Sequence, residues 1–173
     1  MRLAKIIIRN YRLLTNAELE VDPKTTLIVG RNNTAKTSCF ACINKILSRD
    51  PFPFSFDDYP LQKRSSLYDN VAQFLAEKIS IEDLCKQVES ISIDFIVNYA
   101  LDDPALSPFI IDLDADTTTA LIRIECKLKS DEKIIWNAFK QFRDESIREP
   151  NDLQKAIKNN FQKIFEMAVY AIN

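Results

Sequence analysis

Residues Gly30, Arg31, Asn32, Asn33, Thr34, Ala35, Lys36 and Thr37 fit the pattern G-x-x-x-x-G-K-[ST] at seven of its eight positions, with Ala35 standing where the second glycine belongs. A loop of this kind turns successive backbone N–H groups inward around phosphate oxygens. The start of the following helix adds the positive end of its dipole. In that role Lys36 reaches the β- and γ-phosphates of a nucleoside triphosphate. The Thr37 hydroxyl ligates Mg²⁺, and Ser38 bonds the α-phosphate. Gly30 to Ser38 therefore predict a phosphate cradle, with ATP and Mg²⁺ as the cofactors. Gly30 is also the single glycine of the chain, and it falls where the loop begins.

Ala35 is the departure. The second glycine of such a loop often has positive φ, and a Cβ there costs roughly 1–2 kcal/mol. A loss of that size weakens a site built from several N–H groups and a lysine without abolishing it. Two other readings stay open. The segment is either a degenerate loop that no longer binds, or a plain strand-turn-helix corner with a chance lysine.

The elements that must position these residues follow from periodicity. Residues 2 to 11 predict a strand around Ile6, Ile7 and Ile8. Residues 16 to 22 alternate, with Ala17, Leu19 and Val21 against Glu18, Glu20 and Asp22, and predict a half-buried strand. Thr25 to Val29 reads as a short apolar strand entering the loop, and 36 to 48 as the helix leaving it. Residues 50 to 60 contain three prolines and predict a loop. Residues 67 to 79 predict a helix with Val71, Phe74, Leu75 and Ile79 on one face. Ser80 then caps a short helix running to Val88, with Asp83 three residues on.

Two further strands follow, 91 to 99 and 120 to 128, separated by an acidic loop around Asp112, Asp114 and Asp116. The remainder reads as helix. In the last one Leu153, Ile157, Phe161, Ile164, Phe165, Ala168 and Ile172 make one apolar stripe. The expected fold is α/β, with the loop strand in the core of a mixed sheet and an antiparallel layer that includes 91–99 and 120–128.

Composition narrows the chemistry. The 173 residues carry a formal net charge of −2, so any nucleic-acid surface would have to be a local patch. There is no histidine, which excludes imidazole catalysis within the chain. The cysteines are Cys39, Cys42, Cys85 and Cys126. Cys39 and Cys42 form a C-x-x-C that suits redox or metal chemistry in other settings. Here the simpler reading is two soft apolar residues on one face of a core helix. No apolar run is long enough to span a membrane, no signal peptide is visible, and the expected compartment is the cytoplasm.

The opening of the chain resembles the RecF/SMC-like branch of ABC-type ATPases. The resemblance rests on a first strand ending in Arg9-Asn10-Tyr11-Arg12, a second strand of acidic alternation, and then LIVGRNNTAKTS. Within that branch it is most similar to the OLD (overcoming lysogenization defect) family of ATP-dependent endonucleases, which includes Gabija-like and retron-associated defence nucleases. Phe54 to Pro60, FSFDDYP, is similar to the segment that follows the first helix in that family. The likeness spans most of residues 1 to 129.

The resemblance implies an ABC/RecF/SMC-like ATPase head. Residues 1–173 are then the N-terminal part of the ATPase domain, with its C-terminal half and a Toprim nuclease domain expected beyond the chain. It implies that Arg12 lies near the nucleotide and contacts phosphate, the alternative being a surface residue that ends a strand. Asp57 or Asp58 would help hold Mg²⁺ or its waters, the alternative being an ordinary polar loop. It further implies DNA as a partner of the full-length protein and homo-oligomers formed through ATPase heads. Phe109-Ile110-Ile111-Asp112 is a poor Walker B, because Leu113 stands where the catalytic glutamate belongs. No catalytic residue is therefore assigned within the chain, and the segment alone is expected to hydrolyse ATP slowly or not at all. The leading reading is an ATP-binding part that gates DNA cleavage in antiphage defence. The others are a repair ATPase of RecF/SMC type without nuclease, and a noncatalytic scaffold with a decayed loop.

Overall fold

A computed structural model describes residues 1–29, 35–48, 50–99, 118–142 and 150–172. Strands β1 (Arg2–Tyr11), β2 (Leu14–Glu20), β3 (Ile91–Asn98), β4 (Thr119–Leu128) and β5 (Phe165–Ile172) build one sheet in the order β2-β1-β3-β4-β5. Helices α1 (Lys36–Leu47), α2 (Leu61–Leu75) and α3 (Ile81–Gln87) lie between β2 and β3 in the chain. Helices α4 (Glu132–Ala138) and α5 (Pro150–Ile164) lie between β4 and β5.

Alternation sends one set of strand side chains into the core. Ile6 and Ile8 of β1, Ile91 and Ile93 of β3, and Cys126 and Leu128 of β4 are buried in one apolar cluster. The helices supply the facing residues. In α2, Leu67, Asn70, Val71 and Phe74 are buried at helical spacing. In α5, Leu153, Ala156, Ile157, Phe161 and Ile164 do the same. On the other face of the sheet, Asp94 pairs across strands with Ile7 and Arg123. Its buried carboxylate accepts from Arg123 Nε at 2.6 Å and Arg123 Nη2 at 2.8 Å, and from Arg9 Nη1 at 2.5 Å. A buried charge needs such partners.

Most expected elements are present with shifted ends. The helix expected over 67–79 is Leu61–Leu75, and Ser80 caps α3 by accepting from the Asp83 amide. Three expectations are corrected. First, Thr25 to Val29 forms no strand, and every pairing of the described sheet is antiparallel, not mixed. Leu27 is 81% and Val29 78% exposed, so the stretch lies outside the core. An apolar run becomes a strand only where a neighbour accepts its backbone groups. Second, the last helix stops at Ile164, and Phe165 to Ile172 is strand β5, paired along β4 from Leu128↔Phe165 to Leu121↔Ile172. Ala168 and Ile172 thus leave the helical stripe, because the open edge of β4 satisfies their backbone better than a lengthened helix would.

Third, the loop expected over 50 to 60 contains a turn of 3-10 helix at Phe56–Asp58 and packs into the core. Phe54, Phe56, Asp58 and Tyr59 are buried. Phe161 stacks on Phe165 with centroids 4.3 Å apart and meets Phe52, Phe56 and Tyr59 edge-on at 6.1–6.4 Å. Phe165 thus joins the aromatic cluster to the first residue of β5. Phe165→Ala is expected to cost about 3–5 kcal/mol, read from urea unfolding followed by far-UV circular dichroism. A loss under about 1 kcal/mol would mean the cluster does not anchor the helix-to-strand junction.

Candidate functional site

Helix α1 begins at Lys36, and the residue before it, Ala35, has φ 61° and ψ 11°. This is the left-handed conformation expected for the second glycine position, occupied here by a residue with a Cβ. The Cys39 amide donates to the Ala35 carbonyl at 3.0 Å, which closes the first helical turn. Ala35, at the N-cap, has no side chain that could cap this N-terminus, and the first turn of α1 carries no acid. Within α1 no carboxylate competes for the leading amides and their dipole. Thr37 is exposed there, and Lys36 and Ser38 are half-buried. These features fit an anion such as a nucleotide phosphate. Gly30, Arg31, Asn32, Asn33 and Thr34 lie outside the described residues, as do Asp112, Asp114, Asp116 and the Phe109–Asp112 segment.

The Cys39–Cys42 pair lies on the inward side of α1, Cys42 fully buried and Cys39 partly. Burial pushes the Cys42 thiol up to about 12 and raises Cys39 as well. Thiols held protonated in this way are poor nucleophiles and poor metal ligands. Among the described residues no three acidic or cysteine side chains cluster to hold a metal ion.

Arg12 and Asp58 come together, a pairing that sequence reasoning missed. Asp58 is buried, and its Oδ1 takes Arg12 Nε at 3.0 Å and Arg12 Nη2 at 2.9 Å. Its Oδ2 takes Lys45 Nζ at 3.0 Å, the Ser55 amide at 3.0 Å and the Ser55 hydroxyl at 3.1 Å. The Arg12 amide also donates to the Asp58 carbonyl at 2.8 Å. Burial alone would raise the Asp58 carboxyl. The Ser55 amide, Lys45 and Arg12 outweigh it and hold the group below the ordinary carboxylate value. Asp57, by contrast, is exposed and pairs with Lys158 at 3.1 Å.

The Tyr11 hydroxyl is buried beside this cluster with no partner at hydrogen-bond geometry among the described residues. Its pKa is raised first by burial and then by the Asp58 charge. The local chain is shaped to reach the carboxylate. Asn10 and Arg12 have φ 55° and 53°. The Asn10 side chain ties that corner to the Ser90 carbonyl at 3.1 Å. Lys45 is ten residues past Ala35, about 15 Å along the helix, so Arg12 is engaged at the end of α1 away from the loop. An acidic pair after the five aromatic and proline residues of 51–56 was the visible signal, but nothing in the sequence showed which cations Asp58 would meet.

A sequence profile described as AAA ATPase domain matches residues 1–171. No curated protein matches the chain. No helix among the described residues is long and apolar enough to cross a membrane.

Two outcomes follow from this geometry. Ala35→Gly should raise the unfolding midpoint, by a gain approaching about 1 kcal/mol, and should bind nucleotide at least as tightly as the parent. A lower midpoint would mean that the Ala35 methyl is packed. Asp58 and Asp94 both have lowered pKa values, Asp94 because Arg123 and Arg9 outweigh its burial. Their stabilisation is complete above the ordinary carboxylate pKa, about 3.9, and is lost as pH falls through their lower folded values. Acid titration of Asp94→Asn should show a shallower loss of stability across that window than the parent, and an equal slope would count against the ion pairs.

Proposed function

The chain belongs to the AAA ATPase domain family, a family of nucleotide-binding ATPases, and from that premise we propose that it binds ATP with Mg²⁺ through residues 30 to 38. The observation that carries this is the left-handed Ala35 leading into a helix whose first turn holds Lys36 and Thr37 and no acid. In this reading Gly30 to Thr34 wrap the phosphates with backbone N–H groups. Lys36 places its ammonium at the β- and γ-phosphates, Thr37 offers its hydroxyl to the metal, and Ser38 bonds the α-phosphate. Bound Mg²⁺ would neutralise charge on the β- and γ-oxygens.

We also propose the finer identity: the N-terminal part of an OLD-like ATPase and endonuclease, in which nucleotide state gates DNA cleavage in antiphage defence. Its support is the resemblance of LIVGRNNTAKTS and FSFDDYP to that family. The exposed apolar residues Leu27, Val29, Phe40 and Leu47 also favour it. A further layer of an ATPase head would bury them. DNA contact, assembly through heads and a Toprim nuclease belong to this proposal and would require chain beyond residue 173. A full-length protein that cleaves DNA at a rate independent of nucleotide would overturn the gating.

Calorimetric titration with ATP tests the phosphate site. Lys36→Ala is expected to weaken binding about tenfold or more, the effect of losing a charge-assisted hydrogen bond. Thr37→Ala should weaken it mainly when Mg²⁺ is present. If Lys36→Ala binds as the parent does, Ala35 is only a turn before a helix and the proposal falls.

A further inference from the structure

Helix α1 is held to the fold by little burial. Cys42 is its one fully buried residue, and Phe40 and Leu47 are exposed on its other side. Its far end is fixed by polar contacts instead. Lys45 Nζ donates to Asp58 at 3.0 Å and to the Pro53 carbonyl at 2.6 Å. The same carboxylate holds Arg12 at the β1–β2 corner, where two residues are in left-handed conformations. One buried group therefore joins the end of α1 to the edge of the sheet.

We propose that Asp58 is a positioning residue of the phosphate site. It acts through Lys45 to fix the axis of α1, and so the placement of Ala35 to Ser38 at the helix's other end. The inference rests on the phosphate-loop reading given above. A helix behaves as a rod, and α1 is about 18 Å long. Releasing one end lets the other swing. Hydrogen bonds from first-turn amides weaken steeply with misalignment, and binding constellations need placement to about 0.5 Å.

The test uses the 173-residue chain. Affinity for ATP is measured by calorimetry with and without Mg²⁺, at a temperature where circular dichroism shows each variant folded. Asp58→Asn and Lys45→Met should each weaken ATP about tenfold, by a similar factor in both conditions. Asp58→Glu, which keeps the charge, should recover part of the loss. A purely structural role would lower the unfolding midpoint and leave the affinity of the folded protein unchanged, which overturns the proposal. Loss confined to Mg²⁺ conditions would make Asp58 a metal ligand and overturn it too. If Asp58→Asn does not fold, Lys45→Met decides alone. Lys36→Ala separates the two readings. Parent-like affinity in that variant overturns the phosphate loop itself, whereas weak binding there with parent-like Asp58→Asn and Lys45→Met overturns only the positioning.

Discussion

The buried carboxylate of Asp58 is the constraint on which the arrangement around α1 depends. A charge removed from water is tolerated only when partners replace its hydration. Asp58 draws these partners from Arg12, Lys45 and Ser55, which belong to three different parts of the chain. Satisfying it fixes the β1–β2 corner, the end of α1 and the 52–60 segment relative to one another. The left-handed conformations of Asn10 and Arg12 cost conformational energy. They persist because the Asn10–Ser90 and Arg12–Asp58 contacts over-determine the corner.

The apolar core complements this polar knot. Phe52, Phe56 and Tyr59 pack around Phe161, so the segment carrying Asp58 is seated on α5 by its aromatic neighbours. Asp58 cannot move without disturbing that cluster, and the cluster continues into β5 through Phe165. Arg64 reinforces the seat, lying 4.5 Å over the Phe56 ring and donating to the Phe56 and Tyr59 carbonyls. A second buried carboxylate, Asp94, does the equivalent work on the opposite face of the sheet, bridging β1 and β4 across β3. The sheet is thus fastened by ion pairs on one face and by side-chain packing on the other.

Helix α1 differs from the other long helices. Helices α2 and α5 each bury a full stripe in the core, whereas α1 turns Cys39, Cys42, Ile43 and Ile46 inward and leaves Phe40 and Leu47 in solvent. Ala35, the residue before the helix, has no side chain that could cap it. An uncovered apolar side belongs to an element that offers a surface as well as packing on the core.

Several features were legible in the sequence because they are local. The helix that starts at Lys36, the positive φ at Ala35, the Ser80 cap and the strands at 2–11, 91–99 and 120–128 follow from spacing and from backbone sterics that act within a few residues. The tertiary structure decided the rest. TTLIV reads as a strand and FEMAVYAI as the end of a helix, yet only the second finds the open edge of β4 and becomes a strand. Residues 50 to 60 read as a proline-rich loop, and the burial of Phe56 and Tyr59 there depends on Phe161 and Phe165, a hundred residues away. Arg12, Lys45 and Asp58 look like three unrelated surface charges. Their union depends on where the sheet, α1 and the aromatic segment come to rest, and no periodicity in a linear chain encodes a meeting of residues so far apart.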